Sequence, residues 1–277
     1  MNIIYTGQTI GRYRITEQLG QGGMAVVYKA FDTQLERDVA IKLIRVGAFP
    51  PDILDHVLER FKREAKTLAR LNHPNIVKVH DFGEIDGAPF LVMDYLSGHT
   101  FKEIRKPIRP EAAARLMLPI AEALSYAHSQ GVFHRDIKPS NIILNDDQSP
   151  ILMDFGISKL LEEERGYTLT GTGIGLGTPE YMAPEQGLGK TIDGRADLYS
   201  MGIVFYELIT GHKPYQADTA FAVLYKQMND PLPDPRQFVP DLSDEVEQFL
   251  VKALAKKPND RYSDMEEFKK GLSSLIS

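Results

Sequence analysis

The chain has 277 residues, enough for one large domain or two lobes. Its 43% apolar and 25% charged residues are ordinary for a soluble globular protein, and a net charge of -6 offers no broad basic surface for nucleic acid. The absence of cysteine excludes disulfides, thiolate zinc sites and thiol redox control. The longest strongly apolar run, Met201–Ile209, is roughly half of what a membrane-spanning helix needs. Met1–Ile10 shows no basic segment followed by an apolar stretch, so it does not read as a secretory signal. These features predict a cytoplasmic domain with no membrane contact of its own, either free or as the cytoplasmic part of a longer membrane-anchored protein.

Residues 13–45 alternate and turn like strands. Tyr13–Leu19 leads into the glycine-rich turn Gly20-Gln21-Gly22-Gly23-Met24-Ala25, and Val26–Phe31 leads out of it. Glycines between two strands let backbone N–H groups approach phosphate oxygens with no Cβ in the way. No helix pattern follows, so the turn is neither a Rossmann fingerprint nor a Walker A loop. On its own it also suits a plain tight hairpin. The next strand, Asp38-Val39-Ala40-Ile41-Lys42-Leu43, places Lys42 on the face of Ala40.

Residues 55–71 carry an amphipathic helix pattern, with Phe61, Ala65 and Leu68 at helical spacing and Glu64 on the flank of that face. A glutamate so close to a buried face is expensive unless paired. Two apolar runs, Asn75–Phe82 and Pro89–Tyr95, meet at the turn Asp86-Gly87 and predict a hairpin. Leu96-Ser97-Gly98 follows as a hinge. From Pro110 the pattern changes to long helices. The first runs to about Gln130, is stopped by Gly131 and should kink at Pro119.

The densest chemistry lies at 134–154. The loop His134-Arg135-Asp136-Ile137-Lys138-Pro139-Ser140-Asn141 precedes two short apolar runs, Ile142–Leu144 and Ile151–Met153, separated by a turn. Asp154-Phe155-Gly156 comes next. A hairpin of that length returns Asp154 to the side of Asn141, with Asp136 close by. Three oxygen-bearing side chains then share a small volume, and hard oxygens beside phosphates suit Mg²⁺. Residues 157–182 are long, irregular and glycine-rich, as functional loops are. Arg195–Ile209 is apolar nearly all round, which implies burial on every side. Two further helices fall at about 243–256 and 264–275.

These segments together resemble the protein kinase family: the glycine turn, Val39-Ala40-Ile41-Lys42, the 134–141 loop, Asp154-Phe155-Gly156, and Gly177-Thr178-Pro179-Glu180-Tyr181 with Ala183-Pro184-Glu185. The resemblance covers residues 13–273 or so and is strongest to bacterial Hanks-type Ser/Thr kinases. It implies an α+β, bilobal fold and a single catalytic domain over 1–277. The N-lobe, about 11–95, would be a five-stranded antiparallel sheet with one main helix. A hinge at about 94–99 would lead to a mostly helical C-lobe at about 100–275.

The same resemblance implies ATP as phosphate donor and Mg²⁺ as the metal, with Mn²⁺ as an alternative. Gly20, Gln21, Gly22, Gly23, Met24, Ala25 and Val26 would cover the phosphates, and Lys42, held by Glu64, would neutralise them. Leu19, Val27, Ala40 and Ile143 would sandwich the adenine, with Met93 behind it and the backbone of Asp94 and Leu96 on its edge. Asn141 and Asp154 would hold the metal, Asp136 would accept the proton of the substrate hydroxyl, and Lys138 would stabilise the γ-phosphate. Thr178 would contact Asp136 and Lys138. Three structural roles also follow: Asp197 bonding the catalytic-loop backbone, Arg261 pairing Glu185, and His134 packing beneath Phe155 instead of acting as a base. Lys138-Pro139-Ser140-Asn141 resembles Ser/Thr kinases more than tyrosine kinases; Ala25 departs from the pattern, standing where a third glycine is usual.

Protein substrates follow from this reading, with self-association for trans-autophosphorylation. Thr170 and Thr172 are the candidate switch residues, and Arg135 and Lys159 are the cations that a phosphothreonine would pair. A pseudokinase scaffold or nucleotide-binding regulatory module is the competing reading, although Lys42, Asp136 and Asp154 are all present. A small-molecule phosphotransferase is disfavoured by Lys138 and the 177–185 segment.

Overall fold

Six strands pair antiparallel in one sheet in the order β1-β2-β3-β4-β6-β5. They are β1 (Thr9–Ile10), β2 (Tyr13–Gln21), β3 (Ala25–Asp32), β4 (Arg37–Ile44), β5 (Val79–Ile85) and β6 (Ala88–Asp94). This computed structural model describes residues 6–155, 179–189 and 192–276. The chain divides into two compact units, the first ending at Ser97 and the second beginning at Gly98.

The sixth strand corrects the expected count of five. Thr9 and Ile10 fold back on Arg14 and Tyr13 through a turn in which Gly11 takes a φ of 57°, and Ile10 is buried. Two residues are too few to leave an alternation in the sequence, so their pairing comes from the turn. Asp86 and Gly87 both adopt positive φ between β5 and β6, the backbone that two-residue hairpins favour. Helix α1 (Pro51–Leu68) begins four residues earlier than the periodicity suggested, because Pro51 occupies its first turn and Val57 extends its buried stripe. Phe61, Ala65 and Leu68 complete that stripe, which packs on β5 and β6.

The second unit holds a three-stranded antiparallel sheet, β7 (His99–Thr100), β8 (Ile142–Leu144) and β9 (Pro150–Leu152). Its helices are α2 (Pro110–Ser129), α3 (Pro184–Gly187), α4 (Gly194–Thr210), α5 (Ala220–Asn229), α6 (Asp244–Ala253) and α7 (Met265–Ser274). Helix α2 continues across Pro119 as one element. Every residue of α4 from Ala196 to Thr210 is buried, so this helix is the axis of the unit; α2, α6 and α7 all pack on it. Asp193 caps its start by accepting from the Arg195 N–H, and Gly211, at φ 76°, ends it in the left-handed conformation. Helix α5 was not expected from the sequence, where only two helices were placed after α4. Gly98 has φ 118°, and a Cβ there would lie 2.2 Å from the Leu144 carbonyl oxygen, so only glycine fits beside β8.

Candidate active site

In the first unit four of the predicted nucleotide residues, Val27, Ala40, Lys42 and Met93, share one face of the sheet, whereas Val26, predicted with them, is buried in the core on the other face because side chains alternate along β3. Val26, Tyr28, Val39, Ile41, Leu43, Phe90 and Val92 pack together on the other face. With a side-chain period of two, the alternate positions Val27, Ala40, Lys42, Leu91 and Met93 point the opposite way. The register agrees: Val27 pairs with Lys42, Lys42 with Leu91, and Ala40 with Met93. Lys42 is buried in this setting, at 8% exposure, and Glu64 stands half-buried on α1 beside its buried stripe. Asp94, at the end of β6, is fixed twice: its N–H donates to the Lys78 carbonyl at 3.0 Å, and its carboxylate lies 2.6 Å from His80 Nε2. Leu96 is half-buried just beyond it.

The glycine turn closes β2 onto β3. Gly22 donates its N–H to the Ala25 carbonyl at 2.8 Å, while Gly20 and Gly23 face open space where a Cβ would be. Leu19 is 42% exposed, at a register shift between Gln18 and Gly20; Val26 and Ala25 are buried and Met24 half-buried. A residue missed in the sequence supports this turn. Arg45, just past β4, donates from its guanidinium to the carbonyls of Gly22 at 3.1 Å and Gly23 at 3.4 Å, and its N–H bonds the Met24 carbonyl at 2.8 Å.

In the second unit the 134–141 loop folds around Asp136. Asp136 Oδ2 accepts from Lys138 Nζ at 2.7 Å and from Asn141 Nδ2 at 3.1 Å, and Asn141 Nδ2 also donates to the Asp136 carbonyl at 2.8 Å. These bonds fix the amide of Asn141, so its Oδ1 remains the acceptor end. The Met153 N–H donates to the Asn141 carbonyl at 2.8 Å, and Ile142 pairs with Leu152, which brings Asp154 to the level of Asn141. Ile143, half-buried, lies on β8 of the same hairpin. Arg135 and Asp154 both hold left-handed backbone, at φ 65° and 56°, a costly conformation for side chains that concentrates at functional sites.

The loop is anchored from α4. The Asp197 carboxylate accepts the His134 N–H at 2.8 Å, the Arg135 N–H at 2.7 Å and a bond from His128 Nε2 at 2.8 Å. Burial pushes this carboxyl up, but the His128 bond and the nearby histidines outweigh it and hold it below the usual carboxylate range. His128 was not singled out in the sequence, nor was Gln186, whose amide donates to the Arg135 carbonyl at 3.0 Å.

His134 is fully buried, 4.7 Å from Phe155 ring to ring. Its Nε2 lies 2.7 Å from the Met153 carbonyl, so that nitrogen carries the proton, and Nδ1 accepts the Asp136 N–H at 3.2 Å. Both nitrogens of a neutral imidazole are therefore used, and burial depresses the pKa further. The ring has a packing role and no vacant nitrogen for proton transfer.

At the far end of the segment, Arg261 grips Glu185 with two parallel bonds of 2.7 and 2.8 Å. Thr178, Thr170, Thr172 and Lys159 lie outside the described residues.

The protein kinase domain family model matches residues 13–272. The chain belongs to the protein kinase family. Among its relatives is a probable serine/threonine-protein kinase PknB of Bifidobacterium longum, 38% identical over 96% of this chain and 40% of the relative. The serine/threonine-protein kinase PknB of Mycolicibacterium smegmatis is 40% identical over 94% of this chain and 42% of its own length. The chain thus spans about 40% of the length of the curated relatives it matches. Among solved structures, the Mycobacterium tuberculosis PknI kinase domain superposes with a TM-score of 0.77 at 29% identity, covering 99% of this chain and all of that one. Rad53, solved with AMP-PNP, gives a TM-score of 0.77 at 26% identity over 96% of this chain and 66% of that one. The kinase fold accounts for the mixed architecture, a sheet-rich first unit and a helical second one.

No described helix of this kinase domain is long and apolar enough to cross a membrane. Among the described residues no group of three or more His, Cys, Asp or Glu could hold a metal by itself. One amide oxygen, from Asn141, and one carboxylate, from Asp154, are a donor set that fits Mg²⁺, which keeps waters and substrate phosphates as most of its ligands.

Proposed function

We propose that this domain transfers the γ-phosphate of ATP to serine or threonine hydroxyls of proteins. The observation that carries the reading is the Lys138–Asp136–Asn141 cluster, in which one lysine and one amide hold a single carboxylate oxygen. Asp136 is thereby oriented as a base: it takes the proton of the attacking hydroxyl while that oxygen bonds to the γ-phosphorus and the bond to the β-phosphate oxygen breaks, releasing ADP. Lys138, already on Asp136, stabilises charge on the transferred group. Asn141 and Asp154 would hold Mg²⁺, which supplies charge neutralisation on the phosphates when bound.

The first unit supplies nucleotide binding. Its glycine turn offers backbone N–H groups to phosphate oxygens, and Lys42 offers a cation that Glu64 would orient. Val27, Ala40 and Leu19 would pack on the adenine ring, Met93 would close its back, and the backbone of Asp94 and Leu96 would bond its edge. That Rad53 takes AMP-PNP on a similar fold supports an adenine nucleotide here. Thr178 would orient Asp136 and Lys138 from the segment leading to Pro179. Thr170 and Thr172 are proposed as sites at which one copy phosphorylates another, with Arg135 and Lys159 pairing the added charge.

The test is transfer of labelled phosphate from ATP to a generic basic protein, with and without Mg²⁺, followed by phosphoamino-acid analysis and peptide mapping. Label on serine or threonine, dependent on Mg²⁺ and on Asp154, is expected, with self-phosphorylation at Thr170 or Thr172. Nucleotide binding with no transfer would mark the domain as a pseudokinase.

A further inference from the structure

The short turn Pro179–Tyr181 ends the segment that joins Thr178 to α3, and side chains hold all three of its carbonyls. Gln227 Nε2 donates to the carbonyls of Pro179 and Glu180, each at 2.9 Å, and Ser200 Oγ donates to that of Tyr181 at 2.7 Å. Gln227 sits on α5 with no exposed surface. Its Oε1 finds no hydrogen-bond partner among the described residues. A buried acceptor left in that state costs stability. A methionine of similar shape would fill the space without that cost. The amide is therefore better explained by what its two donors hold than by packing.

A second residue fixes Gln227 from the far side. Lys256, beyond α6, donates from Nζ to the Gln227 carbonyl at 2.6 Å and lies 2.7 Å from the Tyr215 hydroxyl, with the Tyr215 ring beneath it at 4.2 Å. Burial lowers its pKa to about 8, with Asp230 pulling upward and Arg261 downward, so the ammonium remains protonated at neutral pH. A chain of contacts thus runs from Lys256 through Gln227 to the 179–180 main chain. The far end of that segment is also tied to the catalytic loop. Gln186 accepts from the Ala183 N–H at 2.9 Å and donates to the carbonyl of Arg135, the residue before Asp136.

We propose that Gln227, fixed by Lys256, is a positioning residue for the protein substrate: it sets the main chain of the 179–181 turn, which continues through Gln186 to the backbone beside Asp136, the group that would receive the acceptor hydroxyl. This rests on the kinase reading above. The acceptor's binding, and not the chemical step or nucleotide binding, is the quantity it should govern.

The test compares wild type with Gln227→Met, Lys256→Met and Lys256→Arg, using the full 277-residue chain, ATP and a generic basic protein. In Gln227→Met the KM for the basic protein should rise at least fivefold, while kcat and the KM for ATP change less than twofold. Lys256→Met should raise the same KM in the same direction, and Lys256→Arg, which keeps a donor, should restore it. An unchanged acceptor KM in Gln227→Met overturns the proposal. So does a fall in kcat that tracks a lowered thermal midpoint, which would make the residue merely structural. If Gln227→Met fails to fold, the Lys256 pair decides: an acceptor KM equal in Lys256→Met and wild type overturns it. Absence of transfer by wild type would be seen before any variant is compared, and would overturn the kinase reading along with this one.

Discussion

Both carboxylate oxygens of Asp197 are bonded to the backbone of the catalytic loop, Oδ2 to the His134 N–H and Oδ1 to the Arg135 N–H. One buried charge on the central helix thereby positions the residue next to Asp136 and supports the left-handed backbone of Arg135. Hydrogen bonds to a charged group contribute about 1.5–3 kcal/mol each. Asp197→Asn keeps the shape but removes the charge and turns one acceptor into a donor facing an N–H. Stability should fall by roughly 3 kcal/mol, within the range for such a loss, and phosphate transfer by at least tenfold. Urea unfolding alongside single-substrate kinetics measures both. Wild-type stability in Asp197→Asn would show that the loop is held by other contacts.

Asp136 carries the sharper functional prediction. Asp136→Asn removes the proposed proton acceptor while Lys138 and Asn141 keep their places, so nucleotide affinity should change little. The transfer rate should fall about 10²–10⁴-fold, the usual range for loss of a general base. Turnover within tenfold of wild type would assign the base to another group.

Much of this arrangement is legible in the sequence because it depends on spacing. The V-A-I-K strand puts Lys42 on a chosen face by alternation alone, and the Ile142–Leu144 and Ile151–Met153 runs fix the hairpin that returns Asp154 to Asn141. What the sequence hid depends on contacts between distant residues. Helix α5 went unseen because residues 220–225 are all apolar or aromatic, yet Phe221 and Tyr225 are exposed; no polar stripe marks its outer face. Only Thr219, which caps it by accepting from the Ala222 N–H, was available as a signal. Gln227 and Lys256 read as ordinary surface residues until the fold brings them to the 179–180 main chain. Arg45 belongs to the same class, since nothing in its neighbours foretells bonds to Gly22 and Gly23.

Arg261 uses every N–H it has. Nε donates to Ala255, one terminal nitrogen to Glu185 and Arg195, and the other to Glu185 and Lys256, with the guanidinium 4.8 Å from the centre of the Tyr199 ring. Its side chain has no exposure, and that of Glu185 only 8%. Removing one partner leaves the other as an uncompensated buried charge, so Arg261→Ala should cost about 3–5 kcal/mol. Arg261→Lys should recover little of this, because an ammonium cannot reproduce the fork. Thermal or urea unfolding measures both, and a lysine variant as stable as wild type would show that charge alone suffices.

His134 predicts a pH dependence of stability. Burial depresses its folded pKa, against the pull of Asp197 and the Met153 bond, whereas the unfolded chain titrates near the ordinary value of about 6.5. Between those two values the unfolded state binds more protons than the folded one, so stability rises with pH through that window. The contribution is complete above the unfolded pKa and is lost as pH falls through the folded one. One group of this kind can supply a slope of at most about 1.4 kcal/mol per pH unit. His134→Gln offers a donor to the Met153 carbonyl and an acceptor to the Asp136 N–H but does not titrate. In metal- and nucleotide-free protein, wild type should therefore lose more stability than His134→Gln between pH 7 and pH 5. Urea unfolding at several pH values gives the two slopes, and parallel slopes would mean that His134 does not titrate differently on unfolding.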